Sequence, residues 1–336
     1  MNKSMTVENP MKPANDEPGR GEKKSLMIDI LVLLVLFLFF FLLQAYWLFL
    51  DPMIPGGDAG MLLVMSLKFN RFLAEPGGIS SAFFSTAEYP PLPFFLSTVL
   101  YRIFGEGEMV AYLGISLTVL LSIFGIYFAG RKVGGRSAGI LSVLLLLSCP
   151  EFLYESKSFL PDVPMMGFLA LALAALLYSD GFRKKNMVLS LGIIFGLGML
   201  AKFTMWYFLL GAILVMLPDI IGKEKRDLKI LVLISLAGLI VFVSWLFKNQ
   251  ALSDFFQRFI IIIWPLFFLL GLLIFRVLTG KTPETSFNNF LATFFLSAGI
   301  FVPWYLGAAC DFFEKTRIHF SDGIPRRGHL FSMFSG

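Results

Sequence analysis

Apolar runs long enough to cross a bilayer follow one another along this chain, separated by short polar turns, and few architectures accommodate such a pattern. From Ile28 to Leu50 the sequence runs apolar for over twenty residues, which at 1.5 Å per residue crosses a hydrocarbon core of roughly 30 Å. This run is too long for a signal-peptide core, and the DPMIPGGDAG that follows offers no small-residue cleavage site, so it reads as a retained first span. Further runs of spanning or near-spanning length lie at about 109–129, 137–152, 163–179, 186–201, 203–218, 229–247, 258–278 and 290–308. The expected fold class is an all-α polytopic membrane protein with about nine transmembrane helices.

Composition excludes the other classes. At 57% hydrophobic and 15% charged residues, the chain lies far from a soluble domain, which is about 45–50% apolar and 25% charged. Its 39 phenylalanines exclude disorder. Two cysteines are too few for a disulfide scaffold, and Cys149 and Cys310 are read as packed thiols. A net charge of +5 would suggest nucleic acid in a soluble protein; here it is the Lys and Arg excess of cytoplasmic loops, and no nucleic-acid partner is expected.

Where those bases fall sets an orientation. With the tail over residues 1–26 in the cytoplasm, the turns on its side are RKVGGR at 131–136, FRKK at 182–185, GKEKRDLK at 222–229, and Arg276 with Lys281. All are basic. The opposite side receives the loop over 51–108. Counting PPLPFFLSTVLYRIFG, at 90–105, as a span would invert every later turn. It is therefore read as an interfacial helix anchored by Tyr101 and Arg102, with 61–73 of similar character. The membrane domain is expected over 27–308 and a short outer tail over 309–336. The tail's two histidines, His319 and His329, read as surface residues rather than metal ligands.

This orientation gathers four ionisable residues on the outer side. Asp58, in PGGDAG, sits where glycines allow close backbone approach, and it equally suits a helix cap. Glu88 precedes a Pro-Pro pair in TAEYPPLPF, where it could also be an exposed loop acid. Asp162 heads an apolar run in SFLPDVPMM, with Glu151, Glu155 and Lys157 just before it, and it too could cap its helix. Lys202 interrupts GLGMLAKFTMWYF. An ammonium at that depth costs about 2.5–3.5 kcal/mol, so it pairs, lines a polar cavity or snorkels. A cavity with these groups suits an anionic, lipid-linked substrate entering from the bilayer.

In this order, PGGDAG, EYPPLPFFLSTVLYRIFG, SFLPDVPMMGF, GLGMLAK and a later FVPWYL resemble the membrane glycosyltransferases with the C-type fold. The branch is the one containing protein O-mannosyltransferases and the lipid A aminoarabinose transferase, and the resemblance covers roughly 27–308. It implies an enzyme of the inner membrane that takes a sugar from a polyprenyl-phosphate donor and passes it to a glycan, lipid or protein acceptor on the non-cytoplasmic face. It implies Asp58 as general base and Asp162 as a second acid orienting donor or acceptor. Lys202 would neutralise the leaving phosphate, with Arg102 beside it in phosphate binding. Glu88, Tyr89 and Lys157 would contact substrate, Tyr89 standing where the aminoarabinose branch often has a lysine.

Family members usually run longer, so acceptor recognition is expected to be abbreviated or supplied by a partner. No cofactor is assigned, and no nucleotide-binding loop is present, though three outer acids could hold a divalent cation. Two other readings share the charged groups: a transporter of a lipid-linked substrate, disfavoured because no internal repeat is evident, and a noncatalytic scaffold of the same fold.

Overall fold

The computed structural model describes residues 20–50, 57–85, 89–221, 265–274 and 286–321, with a few single positions between them. Glu88, the span expected at 229–247 and much of that at 258–278 lie outside the described residues. Among those described, every element is a helix. In chain order they are α1 (Arg20–Leu50), α2 (Gly57–Ala74), α3 (Ile79–Phe84), α4 (Leu92–Phe104), α5 (Glu108–Leu117) and α6 (Val119–Ser148). There follow α7 (Pro150–Glu155), α8 (Asp162–Tyr178), α9 (Lys185–Ala201), α10 (Met205–Ile221), α11 (Pro265–Ile274) and α12 (Ser286–Ser321).

Among the described residues, three stretches are long and apolar enough to cross a membrane, Ser25–Leu50, Glu108–Ser148 and Ser286–Ala308, where the sequence predicts nine spans over the whole chain. Length accounts for much of the difference. The helices α8, α9 and α10 have 17 residues each, about 26 Å of axial rise, slightly less than the core of a typical bilayer. The middle stretch is not one straight rod. Gly135 adopts φ 82°, ψ −171° within α6, a conformation open only to glycine. A Cβ on Gly139 would lie 2.8 Å from the carbonyl oxygen of Tyr127. Residues twelve apart on a straight helix stand about 18 Å apart, so α6 folds back on itself at the RKVGGR turn.

Small residues set the helix contacts, as expected where lipid removes the hydrophobic drive to pack and close approach must supply dispersion. A Cβ on Gly125 would collide with the backbone of Ala170, joining the first half of α6 to α8. On Gly196 it would meet Ile300 Cβ at 2.8 Å, joining α9 to α12. The pairs 118/167 and 125/170, and 192/293 and 196/300, advance together, so both helix pairs run parallel. Outward, the bundle shows its greasiest surface. Phe39 and Phe49 of α1 are 69% and 75% exposed, a patch that water would not tolerate and acyl chains would.

Polar contacts mark two ends of this bundle. At one end, α1 places Asp29 against Tyr127, Arg131 and Arg136. Nearby in the same tier, Asn289 of α12 donates to the Phe182 carbonyl at 2.6 Å, after the left-handed turn Asp180–Gly181–Phe182. At the other end α1 places Gln44 against Ser156, and α12 binds the Met199 carbonyl through Tyr305 and the Phe83 carbonyl through Trp304. Cys149, expected to be packed, is instead exposed and unbridged at the turn into α7.

Candidate functional site

The second end gathers the charges. Asp162 is the first residue of α8 and makes no cap bond. Its Oδ1 accepts from Lys202 Nζ at 2.6 Å. Lys202 is the residue that ends α9, held in extended backbone (φ −157°, ψ 133°). Its main-chain N–H still closes on the Gly198 carbonyl, while the side chain leaves the helix path toward α8. Of the three readings open to Lys202, pairing is the one realised. The pair is not sealed: the lysine and aspartate side chains keep 25% and 33% of their surface accessible, so either can turn to a ligand.

Two further carboxyls border the pair. Glu155 ends α7, and Glu151 stands one helical turn before it. Burial, and the negative charges of Asp162 and Glu151, push the Glu155 carboxyl above the usual carboxylate range, with Lys202 opposing them. Sequence reasoning passed over Glu155 as one of several acids before Asp162; its place at the end of a six-residue helix that turns it toward α8 carries no sequence signature.

Among the described residues, none of Asp58, Arg102 and Lys157 bonds to the pair. Asp58 is exposed in the first turn of α2, where the helix N-terminus favours a negative charge. It has no hydrogen bond or ion pair among the described residues. Arg102 donates to the Asn70 carbonyl at 3.1 Å, within a clamp in which Glu106 also meets Asn70 and Arg71. It makes no contact with Lys202 or Asp162. Lys157 lies 3.6 Å over the ring of Trp47, a cation–π contact, and Tyr89 packs against the apolar core beneath α2 and α4. Among the described residues no three His, Cys, Asp or Glu side chains come together to hold a metal. At the same end of the bundle, Leu200 joins Phe83, Pro91, Leu92 and Phe95 in lining an apolar recess of about 170 Å³.

Sequence reasoning missed Asp29. It is the one charged residue between Ser25 and Leu50, and an ionisable group inside a span needs a named partner; that signal was present.

Apolar helices in one bundle, with a salt bridge and carboxyls at one end, define an integral membrane protein. Residues 88–247 match the family model described as dolichyl-phosphate-mannose-protein mannosyltransferase. That stretch, just under half of the chain, holds Asp162, Lys202 and Glu155. No curated protein and no solved structure matches the chain.

Proposed function

We propose that this protein transfers a sugar from a polyprenyl-phosphate donor to a hydroxyl or amine acceptor on the non-cytoplasmic face of the inner membrane, with the Asp162–Lys202 end of the bundle facing that side. The observation that carries this reading is the half-open Lys202, held by a single carboxylate at the end of α9, with an apolar recess lined in part by Leu200 at the same end of the bundle. A phosphate on an isoprenoid chain needs that combination: a cation for the head and a greasy surface for the chain. The family match supports a lipid-linked donor, because the relatives are described by one.

In this reading Asp58 takes the proton as the acceptor oxygen or nitrogen attacks the anomeric carbon. The bond from that carbon to the phosphate oxygen breaks, and its electron pair leaves on the phosphate. Lys202 meets the growing charge, where a preorganised cation lowers the barrier, and Asp162 holds the lysine in place until the donor arrives. The exposure of Asp58, with no bonding partner among the described residues, suits a base that must meet an incoming acceptor.

The test is Asp58→Asn in membranes supplied with a radiolabelled polyprenyl-phosphate sugar. Transfer is expected to fall about 10²–10⁴-fold at unchanged protein level. Full residual transfer removes Asp58 from the role of base.

A further inference from the structure

Glu155 is a carboxyl that the transfer chemistry leaves unused. It is half-buried, and its Oε2 is shut off from solvent with no hydrogen-bond partner among the described residues. An ionised carboxylate in that position lacks the donors that make burial tolerable. The groups facing it from the surrounding elements are few. Glu151 lies on its own helix, Asp162 on α8 and Lys202 at the end of α9. From α1 comes Gln44, whose Nε2 donates to Ser156 Oγ and the Leu153 carbonyl while its Oε1 is buried with no partner among the described residues. Lys157 is turned onto Trp47, and residues 137–148 of α6 carry no charge.

Charge counting then separates two states. With Glu155 ionised, three carboxylates, Asp162, Glu151 and Glu155, stand about one ammonium, and the site repels an anion. With Glu155 protonated, one of those negative charges is gone, and the cost of bringing a phosphate to Lys202 beside Asp162 falls. We propose that Glu155 is a positioning residue for the donor headgroup: it carries a proton, taken from solvent, whenever the anionic phosphate is bound, and so leaves Lys202 free to meet it. This inference rests on reading the site as the receiver of a phosphate-linked donor. Burial and the neighbouring acids already bias the Glu155 carboxyl toward its neutral form, and a bound phosphate reinforces the same bias.

The test is the binding of geranyl methyl phosphate, a diester whose single charge does not change across neutral pH, to the full chain in detergent. For the wild type the affinity is expected to be constant on the acid side of the Glu155 titration and to weaken by up to about tenfold per pH unit above it. Glu155→Gln, neutral and of the same size, is expected to keep the acid-side affinity at every pH. Glu155→Asp and Glu151→Gln are expected to retain the pH dependence. A wild-type profile flat with pH, or a Glu155→Gln profile equal to that of the wild type, overturns the proposal and leaves the transferase reading standing. A Glu155-dependent profile in a protein that transfers no sugar supports the proposal and overturns the catalytic reading instead.

Discussion

Two carboxylates, Asp29 and Asp162, each meet cations across the bundle, one at either end. Asp29 is fully buried, and both of its oxygens are occupied. Tyr127 Oη and Arg136 Nε approach at 2.6 and 2.7 Å, and Arg131 Nη1 bonds both the carboxylate, at 3.2 Å, and the tyrosine oxygen, at 2.8 Å. Asp162 has one partner, a third of its side chain is accessible, and an orphan carboxyl stands beside it. A cluster whose hydrogen-bonding capacity is filled has nothing left to offer a ligand, so it locks helices together. A cluster with capacity in hand is where chemistry can enter. The difference locates function by what remains unsatisfied, more than by how much charge is present.

The same substitution at the two ends probes this contrast most directly. Asp29→Asn strands two guanidinium groups, one of them largely buried, and is expected to lower stability in detergent by about 3–5 kcal/mol, as when one member of a buried pair is removed. Thermal unfolding checks it, and an unchanged midpoint would make the Asp29 cluster no more structural than its counterpart. Lys202→Ala should act on substrate instead. Losing one charge-assisted contact to phosphate, about 1.5–3 kcal/mol, raises the apparent KM for the donor roughly ten- to a hundred-fold while the protein still folds; an unchanged KM would reduce Lys202 to a structural partner of Asp162.

Smaller still is the expected stability effect of Asp162→Asn, within about 1 kcal/mol because the pair is partly open to solvent. A loss as large as that at Asp29 would erase the distinction between the ends. Last, single cysteines at 134 and 160, in a background with Cys149 and Cys310 replaced by serine, should label differently with an impermeant thiol reagent in intact cells. Reagent is expected to reach 160 and not 134, and the reverse result would turn the bundle over in the membrane.

Much of this was legible because charge in an apolar sequence has so few destinations. Lys202 between two apolar runs had to find a partner or a cavity, and it found Asp162, forty residues away. RKVGGR read as a turn from its bases, and Gly135 makes it one. What stayed hidden depends on three-dimensional placement. Asp29 advertises a need for cations, yet nothing local says that they come from a hairpin 98 to 107 residues later. Glu155 lies in a run of acids that sequence alone cannot rank, and only the turn of α7 separates it from exposed Glu151. The span count was harder for a different reason: 17-residue helices fall at the edge of what length alone can assign to a bilayer.

The Asp29 cluster also bears on how the protein is made. Its acid is synthesised 98 to 107 residues ahead of the groups that satisfy it, which at about 5–20 residues per second is an interval of roughly 5–20 s. During that time the first span carries an unpaired carboxylate, tolerable because it lies within about five residues of the helix's apolar boundary, where headgroup water can reach it. Completion of the α6 hairpin removes that water and exchanges it for two guanidiniums and a phenol. The order of synthesis thus leaves Asp29 without its partners until the α6 hairpin is made.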